Sequence, residues 1–329
     1  MRKGIQLFIC IYVLITLFSS KADTLPGQLA FEQGDYERAK VEVLAADDFD
    51  GSPELQTLYA RIELSQNQLD AAQQRITQVL EQHPQNADAL AAAGQLYGQQ
   101  ASRASMFRAG KFAKRSLAHF EQALESDPEH QHALQGIILF KLSAPALFGG
   151  SVDDAKRFAK QLESIDEVEG KLAFANIYRK LSDDVRQLET LQTLYENHPN
   201  DPRAPLALAF VEQADNNWSG AHDYFAAALN AARTDARHTY SAQMARYQLG
   251  RNVVLSKTTE ESKVAAAVAS LSDYLDGPQF GDLPAREWAH YRRGLLFEKL
   301  DGREDAAIAD FEAAATTDDR DLKRALSGK

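Results

Sequence analysis

The residues best suited to chemistry in this chain are few. His130 and His132 flank Gln131 just after Asp127-Pro128-Glu129. Two imidazoles two positions apart invite a metal, but they open a helical run at a solvated turn, and no metal site is expected there. Asp153-Asp154 and Asp318-Asp319 are adjacent acid pairs. Neighbours in sequence do not face each other on a helix, so neither pair forms an acid/base dyad. Both read as helix-start charges or surface. The chain has no Gly-x-Ser-x-Gly elbow, no His-Glu-x-x-His, no phosphate loop and no dinucleotide fingerprint. No catalytic, cofactor-binding or metal-ligating residue is expected, and the chain reads as a non-enzyme. The sequon Asn217-Trp218-Ser219 would matter only in a eukaryotic secretory route, which nothing else in the sequence supports.

A different kind of chemistry is written between Gly98 and His119. That stretch contains no acid, while it carries Arg103, Arg108, Lys111, Lys114 and Arg115. On a helix Arg108, Lys111 and Arg115 share one face, with Phe107 and Phe112 placed to dock beneath it. Two readings follow. The face is solvated or paired with acids of neighbouring units such as Asp153 and Asp154, or it is an edge that binds an anion or an acidic peptide.

The compartment is read from the N-terminus. Arg2 and Lys3 precede the apolar run Ile5 to Phe18, followed by small residues at Ser20 and Ala22. This fits a secretory signal peptide over residues 1–22, and the run is short against the about 20 apolar residues of a membrane span. An uncleaved N-terminal anchor is the alternative. A lipid-attachment site fits poorly, because Cys10 lies inside the apolar run after Phe8 and Ile9. Removal of 1–22 takes away three basic groups and no acid, so the formal charge of −11 becomes three more negative. Nucleic acid and anionic lipid repel such a chain, and neither is an expected partner. Cys10, the one cysteine, leaves with the segment, which excludes disulfides and thiol chemistry from the remainder. A large apolar core must therefore hold the chain together.

The elements that would build that core repeat. LAFEQGDYERAK (29–40) and FEKLDGREDAAIADFEAAA (297–315) each place an aromatic, a Gly, charged residues and then Ala opening a second amphipathic run. LEQHP (80–84), LESDP (124–128) and YENHP (195–199) each close a helical run with Pro. Helix-turn-helix units that end in Pro make an array.

These residues resemble the tetratricopeptide repeat (TPR) family, whose 34-residue unit carries small residues at its eighth and twentieth positions and a large apolar one at its twenty-fourth. The eighth falls at Ala60, Gly94, Ile138, Ala175, Ala209, Gly250 and Gly294. The twentieth falls at Ala39, Ala72, Ser116, Ala155, Gln187, Ala221, Ala267 and Ala307. The twenty-fourth falls at Val43, Ile76, Phe120, Ala159, Leu191, Phe225, Leu271 and Phe311. Ile138, Gln187 and Ala159 are misfits. The resemblance implies an all-α, right-handed solenoid of antiparallel helix pairs, about eight units over 27–318, in a single domain spanning 23–329. Small residues let paired helices approach to about 8–10 Å, and large ones fill the gap to the next unit.

The spacing departs from the family in two adjacent units of the first half, and two more long steps follow later, 46 from Ala221 to Ala267 and 40 from Ala267 to Ala307. Ala72 to Ser116 is 44 residues and Ser116 to Ala155 is 39, against 33 from Ala39 to Ala72. The extra residues are expected between the two helices of each unit, so that both emerge on one edge, formed by 98–115 and 143–151. In the second of these, Pro145 ends a helix and Gly149-Gly150 permits a tight turn. Uncharacterised exported bacterial TPR proteins are similar in this pair of features, matched here by Ala144-Pro145, Gly149-Gly150 and Ala155-Lys156. The similarity implies a fixed, shaped turn.

In the family the first helix of each unit lines the concave face. Its ninth positions here are Arg61, Gln95, Leu139, Asn176, Phe210, Arg251 and Leu295. That mixed row has no Lys and Asn series to clamp a C-terminal carboxylate. A peptide groove remains open, with Phe210, Tyr247, Trp288 and Tyr291 as aromatic anchors, unless these rings pack between units. The resulting expectation is a non-catalytic protein-interaction scaffold of the periplasm or envelope. Its partner, another protein or peptide, is bound through Arg108, Lys111, Arg115, Pro145 and Phe148 on the edge or Phe210 and Tyr247 on the concave face. The alternative is a ligand-binding accessory of a periplasmic solute transporter, which would need a deep apolar pocket under the 143–151 break. N-terminal sequencing of exported protein is expected to begin at or near Asp23; a product that starts at Met1 and sediments with membranes would show an anchor instead.

Overall fold

Pro84, Pro128 and Pro199 each stand two residues beyond the end of a helix. A Pro there cannot continue a helix and forces the chain into the next turn. In the computed structural model, which describes residues 25–233, 235–280 and 283–328, those prolines separate consecutive helix pairs. The pairs are α1 (Gln28–Glu32) with α2 (Tyr36–Leu44), α3 (Pro53–Ser65) with α4 (Leu69–Gln82), and α5 (Ala87–Arg103) with α6 (Met106–Ser126). Then come α7 (Gln131–Ser143) with α8 (Val152–Ile165) and α9 (Glu167–Lys180) with α10 (Asp184–Asn197). Three further pairs are α11 (Arg203–Ala214) with α12 (Trp218–Ala232), α13 (Thr239–Ser256) with α14 (Glu261–Asp276), and α15 (Arg286–Phe297) with α16 (Glu304–Ala314); α17 (Arg320–Leu326) follows. The described residues are thus all-α, and the eight expected units are present as eight pairs. They fall into two compact units divided between Leu194 and Tyr195. The expected signal segment, 1–22, lies outside the described residues.

Local caps explain why the helices start where they do. Side chains of Ser52, Asn86, Ser151, Asp166 and Asn217 each accept a hydrogen bond from a first-turn N–H of the helix that follows. His130 plays the same part for α7, its Nδ1 accepting from the Ala133 N–H.

Packing within the first unit turns on Phe120. Its ring fills the space left by Gly94 on α5 and Gly136 on α7; a methyl at Gly94 would lie 2.6 Å from it, and one at Gly136 would clash harder. The eighth and twenty-fourth positions therefore interlock, as the small-and-large pattern implies. Ser116 adds a buried hydrogen bond from its hydroxyl to the Gly94 carbonyl, 2.7 Å. The two misfits of the fourth pair cancel. Ile138 and Ala159 share one buried cluster with Leu134, Ala155 and Leu162, so the large residue has moved to the eighth position and the small one to the twenty-fourth. In the second unit Gly250 accepts Leu271 and Gly294 accepts Phe311 in the original sense.

The ten or so extra residues of the third pair are not a loop between helices, as the spacing alone suggested. They lengthen α5 and α6 to 17 and 21 residues, joined only through Ala104 and Ser105. The sequence there alternates Ala, Ser, Arg and Lys without Pro, so nothing stops either helix. Ala159→Leu is expected to overpack the fourth pair by about 1–3 kcal/mol. Ile138→Ala in the same chain should recover a large part of that loss, a coupling that denaturant melts of the two single variants and the double variant will measure. Leu at exposed Gln74 should cost little, and equal losses at all sites would show the register to be wrong.

Candidate functional site

The edge is assembled by the long hairpin α5–α6 and the connection between α7 and α8. Arg108, Lys111, Lys114 and Arg115 are exposed on α6. Under them, Tyr97 of α5 stacks against Phe112 at 6.5 Å and His119 at 5.3 Å, and the Arg115 guanidinium lies 4.7 Å over the Tyr97 ring. Phe112 thus docks beneath the basic face; the side chain of Phe107 lies outside the described residues. Arg103 is drawn away, donating to the Asn67 side-chain oxygen.

The acids that could neutralise this face are engaged elsewhere. Asp154 takes Lys141 at 3.1 Å and Arg157 at 3.4 Å, and Asp153 takes Lys156 at 3.7 Å. The bond from Lys141 holds the Asp154 carboxyl below its ordinary range. Among the described residues no ion pair is formed by Arg108, Lys111, Lys114 or Arg115. The face is therefore not paired with Asp153 and Asp154, which leaves a solvated basic face and an anion-binding edge as the two readings.

Beside the hairpin the chain makes a fixed turn. Pro145 leads into a 3-10 turn, Ala146–Phe148, closed by hydrogen bonds from the Phe148 N–H (2.8 Å) and the Gly150 N–H (3.2 Å) to the Pro145 carbonyl. Gly149 has φ +98°, a backbone state that side chains disfavour. At Gly150 the Ala144 carbonyl oxygen occupies the place of a Cβ. The turn points Leu147 outward at 87% exposure and Phe148 at 45%, while the edge of the Phe148 ring lies 3.7 Å from where a methyl on Gly110 would sit. Phe148 is thus brought against α6, the helix that carries Arg108, Lys111 and Arg115, while Pro145 stands at the start of the same turn. The result is a basic face flanked by solvent-facing apolar side chains.

The inner-wall candidates lie on the first helices of their pairs and do not behave alike. Phe210 is half-buried and packs edge-on against Phe225 at 5.4 Å. Tyr247 is 3% exposed, packs at a tilt against Tyr274 at 5.2 Å and takes a hydrogen bond from Arg292 through its hydroxyl. It is a core residue, not an anchor for a partner; sequence periodicity could not distinguish the two, because the wall and the interface between pairs are adjacent on one helix. Trp288 packs edge-to-face on Tyr291 at 5.8 Å and donates to Asp319, 3.1 Å.

His130 departs from expectation as well. It is buried rather than solvated, with Nε2 at 3.1 Å from Asp88, and its ring lies 6.0 Å from that of His132. Across from them, Arg61 lies 5.0 Å over Phe31, within the fields of Asp88 and Glu32. The two histidines are part of this polar cluster, and no group of three metal-ligating side chains occurs among the described residues. No described helix is long and apolar enough to cross a membrane.

The repeat pattern and the helix-pair fold have counterparts among known proteins. Residues 30–96 match the tetratricopeptide repeat family model. The Cut9–Hcn1 hetero-tetramer of APC/C superposes with a TM-score of 0.52 at 15% identity, over 91% of this chain and 53% of that one. TTC0263, a thermophilic TPR protein of Thermus thermophilus, gives 0.48 at 19% identity, over 54% of this chain and 91% of its own. A tetratricopeptide repeat protein from Parabacteroides merdae gives 0.41 at 16%, with 92% of each chain covered. No curated protein matches. Residues 30–96 are thus similar in sequence to the tetratricopeptide repeat, and the described helix pairs have the fold of such repeats, which is in general a scaffold for binding proteins and peptides.

One pH dependence follows from the buried cluster. Burial, helped by the charges of Arg61 and His130 and opposed by Asp88, holds His132 well below its ordinary range. The unfolded chain then binds a proton near pH 6.5 that the folded chain refuses, so stability is full above that pH and falls as the pH drops below it. His119 and His238 are depressed by burial too and act with the same sign. The urea midpoint is expected to fall between about pH 7.5 and about pH 5.5, and His132→Gln should flatten that slope in part; an unchanged slope would contradict the assignment.

Proposed function

We propose that this chain is a non-catalytic scaffold of the bacterial envelope, exported to the periplasm, that captures an acidic protein partner through the α5–α6 hairpin and the 145–150 turn. The observation that carries the reading is the unpaired basic face of Arg108, Lys111, Lys114 and Arg115, set beside exposed Leu147 and Phe148. In a chain of net charge −11, four cations left without carboxylates on one helix keep a local field of the opposite sign. Such a field steers an acidic partner, and the adjacent apolar side chains supply contact area once it arrives. Export rests on the charged start and apolar run of residues 2–18.

The rival reading, a small-ligand accessory of a transporter, wants an apolar pocket beneath the turn. Leu147 instead faces solvent, which suits contact with a protein surface. A catalytic role has no motif to rest on.

The test is a pull-down from envelope extract. Replacing Ala144–Gly150 by a short Gly/Ser linker should leave helix content nearly unchanged, because α7 and α8 keep their own packing. Arg108→Glu with Lys111→Glu and Arg115→Glu should shift stability by no more than about 0.5 kcal/mol per site. Each variant is expected to lower capture about tenfold or more, and capture by the wild type should weaken with salt, since exposed charges are screened beyond about 10 Å at 0.1 M. If both variants capture normally while Phe210→Ala does not, the inner wall binds and the edge is only a connector.

A further inference from the structure

A second set of arginines stands on the first helices of the unit that begins at Tyr195. Of these helices, α11, α13 and α15 lie side by side. On α13, Tyr247 and Arg251 are four residues apart and share a face. Arg292 of α15 reaches across to donate to the Tyr247 hydroxyl, with its guanidinium 5.1 Å over the Tyr247 ring and 4.6 Å over the Trp288 ring. The two guanidinium groups are thereby gathered around one buried tyrosine.

What holds them is neutral. Arg251 Nη1 donates to the side-chain oxygens of Gln213 (2.6 Å) and Gln248 (3.3 Å). Arg292 Nη1 donates to the Tyr247 hydroxyl and to the Trp288 carbonyl at 3.2 Å. Among the described residues neither arginine forms an ion pair. The acid beside Trp288, Asp319, is committed to the indole N–H and to the first N–H groups of α17. Burial lowers the Arg292 pKa, and the charges acting on it are those of Tyr247, Arg251 and Tyr291, with no carboxylate among them. The contrast is Arg61, which holds the equivalent ninth position of its own repeat to Arg251 and has Asp88 and Glu32 close by.

Neutral acceptors orient a guanidinium without cancelling its charge, and among the described residues each arginine donates through Nη1 alone, which leaves Nε and Nη2 for a two-pronged contact. From this we infer that Arg251 and Arg292 form a binding site for a carboxylate side chain of an acidic peptide, on the wall made by α11, α13 and α15. A carboxylate matches the planar fork of each arginine. It also carries less charge into an acidic protein than a phosphate would. Gln213 and Gln248 act as positioning residues for Arg251, and Tyr247 and Trp288 do so for Arg292. The site is separate from the hairpin edge and stands or falls independently of the function proposed for that edge.

The test uses the full chain carrying Arg108→Glu, Lys111→Glu and Arg115→Glu, so that the other basic face does not contribute. Fluorescence anisotropy is measured with a labelled peptide of alternating Glu and Gly, and with the same peptide carrying Gln for Glu. The Glu peptide is expected to bind about tenfold tighter than the Gln peptide, the worth of one good charge-assisted contact. Arg251→Gln, a change at a half-exposed position, should bring the two within about threefold while circular dichroism stays unchanged. Arg292→Lys, which keeps the charge and loses the fork, should weaken the preference as well. Equal binding of the two peptides, or a Glu preference that survives Arg251→Gln, would overturn the assignment. So would inorganic phosphate that binds at the arginines while the Glu peptide does not.

Discussion

The fit of Phe120 between Gly94 and Gly136 is the contact on which the edge depends. A glycine inside a helix costs about 1 kcal/mol relative to alanine. Here that cost is offset by a ring seated against two helices at once, one from its own pair and one from the next. Because Phe120 fixes α6 against both α5 and α7, the direction in which α6 runs back toward Met106 is fixed too. The basic residues Arg108 to Arg115 lie upstream of that anchor, on the part of α6 that outruns the ordinary repeat. The same interlock recurs at Gly250 with Leu271 and Gly294 with Phe311, and in mirror form at Ile138 with Ala159. Volume is conserved at each pair although the residues trade places, which is what a close-packed interior requires.

Charge in this protein is arranged by what is withheld. Many cations on the described surface have an acid within reach: Arg38 with Glu42, Lys160 and Lys171 with Glu163, Arg186 with Asp183. Exposed pairs of this kind add little stability, but they flatten the local field. On α6 no acid lies beside the basic residues, and Asp153 and Asp154 are held by Lys156, Lys141 and Arg157 on the neighbouring pair. At Arg251 and Arg292 glutamines and aromatics stand where carboxylates would otherwise be. Both places leave cations without a paired carboxylate in an acidic chain, the first because Asp153 and Asp154 are held elsewhere and the second because the hydrogen-bond partners are neutral.

The 145–150 turn shows how a connector becomes a surface. Pro145 stops α7, Gly149 takes a left-handed φ, and Gly150 passes against the Ala144 carbonyl. With the Gly150 N–H and the Ser151 N–H also bonded back to Pro145 and Lys141, little freedom remains. Leu147 and Phe148 are therefore displayed in fixed positions, which lowers the ordering cost of any contact they make.

The residues by themselves determined the repeat: small and large positions at the eighth, twentieth and twenty-fourth places, prolines closing the second, third and fifth pairs, and a turn of Pro and two glycines whose shape allows little else. They also determined that Arg108, Lys111 and Arg115 share a face, because a helix has one period. What they did not determine were pairings across elements. Whether Asp153 and Asp154 neutralise α6 or Lys141 depends on distances between helices far apart in sequence, as does the burial of His130 beside Asp88. The inserted residues of the third pair were legible as an insertion but not as longer helices, since a count of residues carries no direction. Tyr247 was legible as aromatic and periodic, yet only the packing of α13 against α14 and α15 decided that its ring is core and its hydroxyl holds an arginine. Periodicity reports which face a residue is on; the tertiary structure alone supplies what that face meets.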